Sequence, residues 1–168
     1  MKFKAIFLFF PMVFLVVIAA FSQTDEEEAI KQAIKNETLS YFNCDFDTWD
    51  SAVLNADYFS FSVTNVMDPG SLAYTKGKEF YDSNKARLQS PNCKSFDLKM
   101  DFSDWNIQIR GEVAWASYKE TMTMPNNTVL EARTLKVLEK LDNNWKIVAI
   151  SGVFDFNNAS KPWNPKGK

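Results

Sequence analysis

Glu120 and Arg133 are the two residues of this 168-residue chain whose types and placement most invite chemistry. If Asn126 and Asn127 form a two-residue hairpin loop, Pro125 stands opposite Thr128, and Glu120 then faces Arg133 across the two strands. The same register puts Tyr118 opposite Leu135 and Ala116 opposite Val137, so the ion pair is set in an otherwise apolar face. A pair of that kind in a pocket can orient a polar ligand or tune a carboxylate. It can also be purely structural, satisfying only itself. Tyr41, Trp49, Tyr58, Phe80, Tyr118 and Phe154 are the aromatic candidates for lining such a pocket, with simple core packing as the competing reading. Asp68 is a second candidate base. In an acid-base reading, Glu120 or Asp68 removes a proton beside Tyr41 or Tyr118 as hydrogen-bond donor.

Several chemistries lack their residues. The chain has no histidine, which removes the most frequent acid-base group and metal ligand. With five glycines in all and no phosphate-binding glycine loop, nucleophile elbow or metal-spaced cysteine set, no cofactor and no metal are expected. Asp45, Asp47 and Asp50 open with the rhythm of a calcium loop, but Asp50 stands where that loop needs glycine and Ala56 where it needs glutamate. Helix capping explains these carboxylates better. The formal charge of −2 leaves no basic surface for a polyanion, so nucleic acid is not an expected partner.

The elements that must position these residues begin after an export signal. Lys2 and Lys4 precede an apolar run from Ala5 to Ala20, then Ala20-Phe21-Ser22 offers a small-x-small cleavage pattern. The run contains Pro11 and falls short of the roughly 20 residues that span a bilayer, so a cleaved signal is preferred to a retained anchor. Residues 23–168 would remain, with a formal charge of −4 once both lysines are lost, secreted or periplasmic and without a membrane segment. In such a compartment Cys44 and Cys93 can bond, although two buried thiols fit the sequence equally well. Asn36, Asn126 and Asn158 head glycosylation sequons that matter only in a eukaryotic secretory pathway.

Thr24 and Glu27 form a capping box, followed by Ile30, Ala33, Ile34, Thr38, Tyr41 and Phe42 at helical spacing. A second helix is expected over Phe46–Leu54, a short strand over Asp57–Thr64, a turn at Asp68-Pro69-Gly70, and a third helix over Lys76–Leu88. Ser95–Arg110 alternates as a long strand closed by Gly111. Glu112 to Phe156 reads as three further extended segments, the last two joined by a two- or four-residue loop between Leu141 and Asn144. Val148, Ile150 and Phe154 join the face of Tyr118 and Glu120. The opposite face carries Trp115, Lys119, Thr134, Lys136, Leu138, Trp145, Ile147, Ala149 and Val153. With helices over one face, the other still exposes Trp115, Trp145, Ile147 and Val153, so a homodimer through the sheet is expected. Residues 157–168 read as a polar, unstructured tail.

Asp45-Phe46-Asp47-Thr48-Trp49 followed by Asn55-Ala56-Asp57 resembles the entry of SnoaL-like domains. Arg133-Thr134-Leu135 with Asn144-Trp145-Lys146-Ile147-Val148 is similar to their closing hairpin. Over residues 23–156 the chain therefore resembles the nuclear transport factor 2-like superfamily. That resemblance implies an α+β fold in which N-terminal helices pack on a curved mixed or antiparallel sheet to form a cone-shaped pocket. It also implies frequent dimerisation and members both with and without catalysis. In the ketosteroid isomerase branch a catalytic carboxylate lies six residues past an Ala-Asp pair; counted from Asp57 that place holds Val63, and Asp68 comes five residues later. The expected function is an exported, non-catalytic domain that binds a small apolar or amphipathic molecule. An isomerase, dehydratase or cyclase and a structural or interaction module are the alternatives.

Overall fold

The computed structural model describes the backbone of residues 9–65 and 68–155, and the side chains from Thr24 onward except those of residues 65–71 and Asp155. Three helices, α1 (Phe9–Asn43), α2 (Phe46–Ala52) and α3 (Gly77–Leu88), combine with six strands. The strands are β1 (Ser60–Asn65), β2 (Asp68–Lys76), β3 (Lys99–Arg110), β4 (Val113–Thr123), β5 (Val129–Leu141) and β6 (Asn144–Asp155). They form one sheet in the order β2-β1-β6-β5-β4-β3. All neighbours are antiparallel except β1 and β6, which run parallel. The sheet is therefore mixed, as the resemblance implied.

Three local expectations need correction. In the uncleaved chain the Thr24 capping box does not begin a helix, because α1 starts at Phe9. A capping box acts only where the upstream chain leaves the helix, and the apolar run before Thr24 continues it instead, with Pro11 near the first turn, where proline is tolerated. Asp68-Pro69-Gly70 is not a turn but the first stretch of β2, at the sheet edge where a proline costs no ladder bond. The long strand starts at Lys99 rather than Ser95, because the segment before it is tied to the end of α1. There the Phe96 amide donates to the Phe42 carbonyl at 2.9 Å, and Cys44 and Cys93 form a disulfide. The residues assigned to the polar tail from Asn157 and to the start of the signal lie outside the described residues.

Register is the largest correction. The loop between β4 and β5 has three residues, Pro125, Asn126 and Asn127, and Met124 rather than Pro125 faces Thr128. The Asn127 amide donates to the Met124 carbonyl and Met124 to Thr128, both at 2.9 Å, while Asn127 takes the left-handed conformation at φ 61°. This is a type I turn with proline at its favoured second position, followed by a left-handed residue. Glu120 consequently pairs with Ala132 and Arg133 with Lys119, so Glu120 and Arg133 point to opposite faces. Thr134, Lys136 and Leu138 turn inward, while Leu135 and Val137 turn outward. The next loop, Asp142-Asn143 with φ of 48° and 63°, is the two-residue alternative. A bulge at Val137/Leu138 brings Trp145 and Ile147 inward together with Ile150, correcting their assignment to the outer face.

The core lies between the helices and the inner face. Ile30 and Ile34 of α1, Trp49 of α2 and Val53 just after it, Phe80 and Tyr81 of α3, and Ala114, Ala116, Tyr118, Leu138, Trp145 and Ile147 of the sheet form one buried cluster. Asp45 caps α2 by accepting from the Thr48 amide at 3.1 Å. Gly77, at φ +58°, opens α3 so close to Asp57 that a Cβ would lie 2.7 Å from its carbonyl oxygen.

Candidate functional site

Beyond the packed core, the helices and sheet diverge and leave a cavity of about 970 Å³. Its walls are apolar: Phe42 of α1, Phe61 and Val63 of β1, Phe80 of α3, Phe96 and Leu98 of the tethered loop, Met122, Leu130, Ile150 and Phe154. Gly152 opens space in this wall. A Cβ there would touch Thr134 Oγ1 and Val63 Cγ2 only at ordinary distance, 3.7 Å each.

Ser83, Asn84 and Arg87 of α3 add polar groups to the lining, and a second polar part, more deeply buried, is built by three elements. On α1 the stripe Ile30, Ile34, Glu37, Thr38, Tyr41 keeps helical spacing, so Glu37 follows the buried isoleucines onto the inner face. Glu120 comes from β4, and Thr134 and Lys136 come inward from β5. Glu37, Glu120 and Lys136 are 7%, 6% and 2% exposed. The Lys136 ammonium donates to Glu37 Oε2 at 2.5 Å and to Thr38 Oγ1 at 2.9 Å. The Thr38 hydroxyl donates in turn to Glu37 at 3.1 Å. Beneath Glu120, the Tyr118 hydroxyl donates to its Oε1 at 2.7 Å, and the Tyr118 ring stacks on Trp105 with centroids 4.5 Å apart.

Two carboxylates thus face one ammonium. Burial pushes the Glu120 carboxyl above its usual range; the charge of Lys136 and the bond from Tyr118 work against this, and the charge of Glu37 adds to it. Burial, and then the neighbouring Glu120, hold the Tyr118 hydroxyl well above its ordinary value, so it stays a donor. Its proton serves Glu120 rather than the cavity, which makes Tyr118 a positioning residue.

Of the residues singled out from sequence, Tyr41, Phe80, Glu120 and Phe154 line the cavity. Trp49 is fully buried in the core between Phe46, Phe80 and Tyr81. Tyr58 is 60% exposed and donates to Glu139, outside the site. Arg133 is corrected outright: its side chain is 65% exposed on the outer face, bonded to Asp104 at 2.8 Å. The side chain of Asp68 lies outside the described residues. Asp50 accepts from the Tyr81 hydroxyl, and burial, followed by Asp50, raises that phenol to about 12. Among the described residues no group of three or more acidic, cysteine or histidine side chains is placed to hold a metal ion. Glu37, Thr38, Thr134 and Lys136 were missed. A carboxylate seven residues past Ile30 on an apolar stripe was the available signal for Glu37.

The model of the SnoaL-like domain matches residues 30–153, spanning α1 to β6. The chain belongs to the SnoaL-like family. Solved structures share the fold of this SnoaL-like protein at low identity. An NTF2-like protein from Cytophaga hutchinsonii is 21% identical with a TM-score of 0.54, over 76% of this chain and 96% of that one. An NTF2-like protein with a cystatin-like fold from Novosphingobium aromaticivorans is 12% identical with a TM-score of 0.60, over 82% and 86%. The association domain of C. elegans CaMKII is 15% identical with a TM-score of 0.57, over 78% and 97%. Comparison with curated proteins gives no match.

Proposed function

We propose that this SnoaL-like protein is an exported, non-catalytic binding protein that takes a small amphipathic molecule into its cavity. The observation that carries the reading is the cavity itself: about 970 Å³, within the range of small-molecule sites, with largely apolar walls and a buried cluster of polar groups around Glu120. The apolar part of the ligand would meet the phenylalanine walls, and its polar end would meet Glu120 and its neighbours. Nile red, a neutral apolar fluorophore, is expected to bind with micromolar affinity. Gly152→Leu, whose side chain would project into the cavity, is expected to weaken that binding at least about tenfold while the far-ultraviolet circular dichroism stays unchanged. Equal binding by both proteins would end the pocket reading.

A second reading has one observation in its favour. Glu120 is a carboxyl with a raised pKa in a cavity, the signature of a general acid or base. Against it, Tyr118 has already committed its proton to Glu120, and Val63 stands where the isomerase branch of the superfamily carries its base. Recovery of an incubated ligand chemically altered would favour the enzyme, and recovery unchanged the binding protein.

The export signal and a dimer belong to the same proposal. A disulfide suits an oxidising compartment. Among the described residues no helix is long and apolar enough to cross a membrane. The outer sheet face exposes Trp115, Leu135 and Val153 at 38%, 41% and 42%, a patch a second copy would cover. The CaMKII domain of similar fold is an association domain by name, which fits a fold used for assembly. Native mass spectrometry of protein from a secreting host is expected to give a dimer of chains beginning at Gln23. A monomer at micromolar concentration, or a chain retaining residues 1–22, would refute the corresponding part.

A further inference from the structure

We propose that the ligand carries an alkyl-substituted ammonium head, and that this cation sits against Glu120 among the aromatic walls of the cavity. The inference rests on the pocket reading above and names the class of molecule. Its first support is the charge count of the polar wall. Glu37 and Glu120 bring two formal negative charges and Lys136 one positive, all at least nine-tenths buried. Lys136 is committed to Glu37 and Thr38 by hydrogen bonds. Glu120 is left with neutral partners, the hydroxyls of Tyr118 and Thr134. A buried carboxylate without a bonded cation is costly, and either a proton or a cation from the cavity relieves it.

The second support is independent of charge. Phe42, Phe61, Phe80, Phe96 and Phe154 line the same cavity, and phenyl faces attract cations whose substituents leave no N–H to satisfy. Tyr41 shows the attraction within the fold, since the Arg87 guanidinium lies 4.0 Å from its ring centroid. Arg87 is the other charged group of the lining, on α3, and it repels a cationic head from that wall toward β4 and β5. Among the described residues the titratable and charged groups around the cavity are Glu37 and Tyr41 on α1, Arg87 on α3, Tyr118 and Glu120 on β4, and Lys136 on β5. The described side chains of β1, β2 and β6 contribute none.

The test compares three ligands with one tail, decyltrimethylammonium, decanol and decyl sulfate, each below its micelle concentration, by displacement of Nile red from the purified protein. The ammonium is expected to bind at least about tenfold tighter than decanol, and the sulfate weakest. The quaternary head does not titrate, so its pH dependence reports on the protein. Its affinity is expected to rise as pH increases beyond the usual carboxylate range and Glu120 loses its proton, and Glu120→Gln is expected to remove both the preference and the pH slope. Decanol binding as tightly as the ammonium, or an ammonium affinity that is flat or falling with pH, would overturn the cationic head and leave the pocket intact. Displacement by none of the three would overturn head and pocket together. Should Glu120→Gln fail to fold, the pH series on the unaltered protein decides alone.

Discussion

Lys136→Ala is expected to lower the unfolding free energy by about 3–5 kcal/mol, the usual result of removing one partner from a buried ion pair. Lys136 is 2% exposed and bonds Glu37 at 2.5 Å, so its loss strands Glu37 and removes the charge that most opposes the raised pKa of Glu120. The effect depends on pH with a definite sign. A carboxyl whose folded pKa lies above its unfolded one binds more protons when folded, so its contribution to stability falls as pH rises through the unfolded pKa toward the folded one. Without Lys136 that fall is steeper, and the variant is expected to differ least from the parent in acid and most at neutral pH. Urea unfolding at several pH values reads both quantities. A cost below about 1 kcal/mol at neutral pH would show that water reaches the cluster and that the charges on the cavity wall are not buried.

Cys93→Ser is expected to cost about 4 kcal/mol, the chain-entropy value for a bridge spanning 49 residues, with the mechanism of that stabilisation depending on the model used. The bridge also holds the segment that carries Phe96 and Leu98 to the cavity, where the Phe96 amide meets Phe42. Nile red affinity is therefore expected to fall along with stability in the variant and in the reduced parent protein. Unfolding curves with and without reductant, paired with the dye titration, separate the two effects. Full stability after reduction would mean that the contacts of Phe96 alone anchor the segment.

What the sequence revealed and what it concealed have physical causes. The helices, the closing strands and the Asp142-Asn143 turn were legible because apolar spacing and turn chemistry act locally. The polar wall was hidden by one residue of register at Pro125. A two-residue loop would have made Pro125 and Thr128 a hydrogen-bonded pair, and proline has no N–H to give, so the sequence itself held the objection. The slip turned Lys136 outward and brought Arg133 inward, and it replaced the real partners of Glu120 with a pair that does not form. On β6 the error corrected itself midway, since the bulge at Val137/Leu138 restores the parity that Ile150 and Phe154 require. Glu37 escaped notice because a carboxylate on an apolar stripe makes sense only once its lysine, 99 residues away, is in place.

The parallel seam between β1 and β6 sets a timetable for the newborn polypeptide. β1 and β2 reach the rest of the sheet only through β6, which follows every other strand in chain order, so the sheet cannot be completed until that strand has been made.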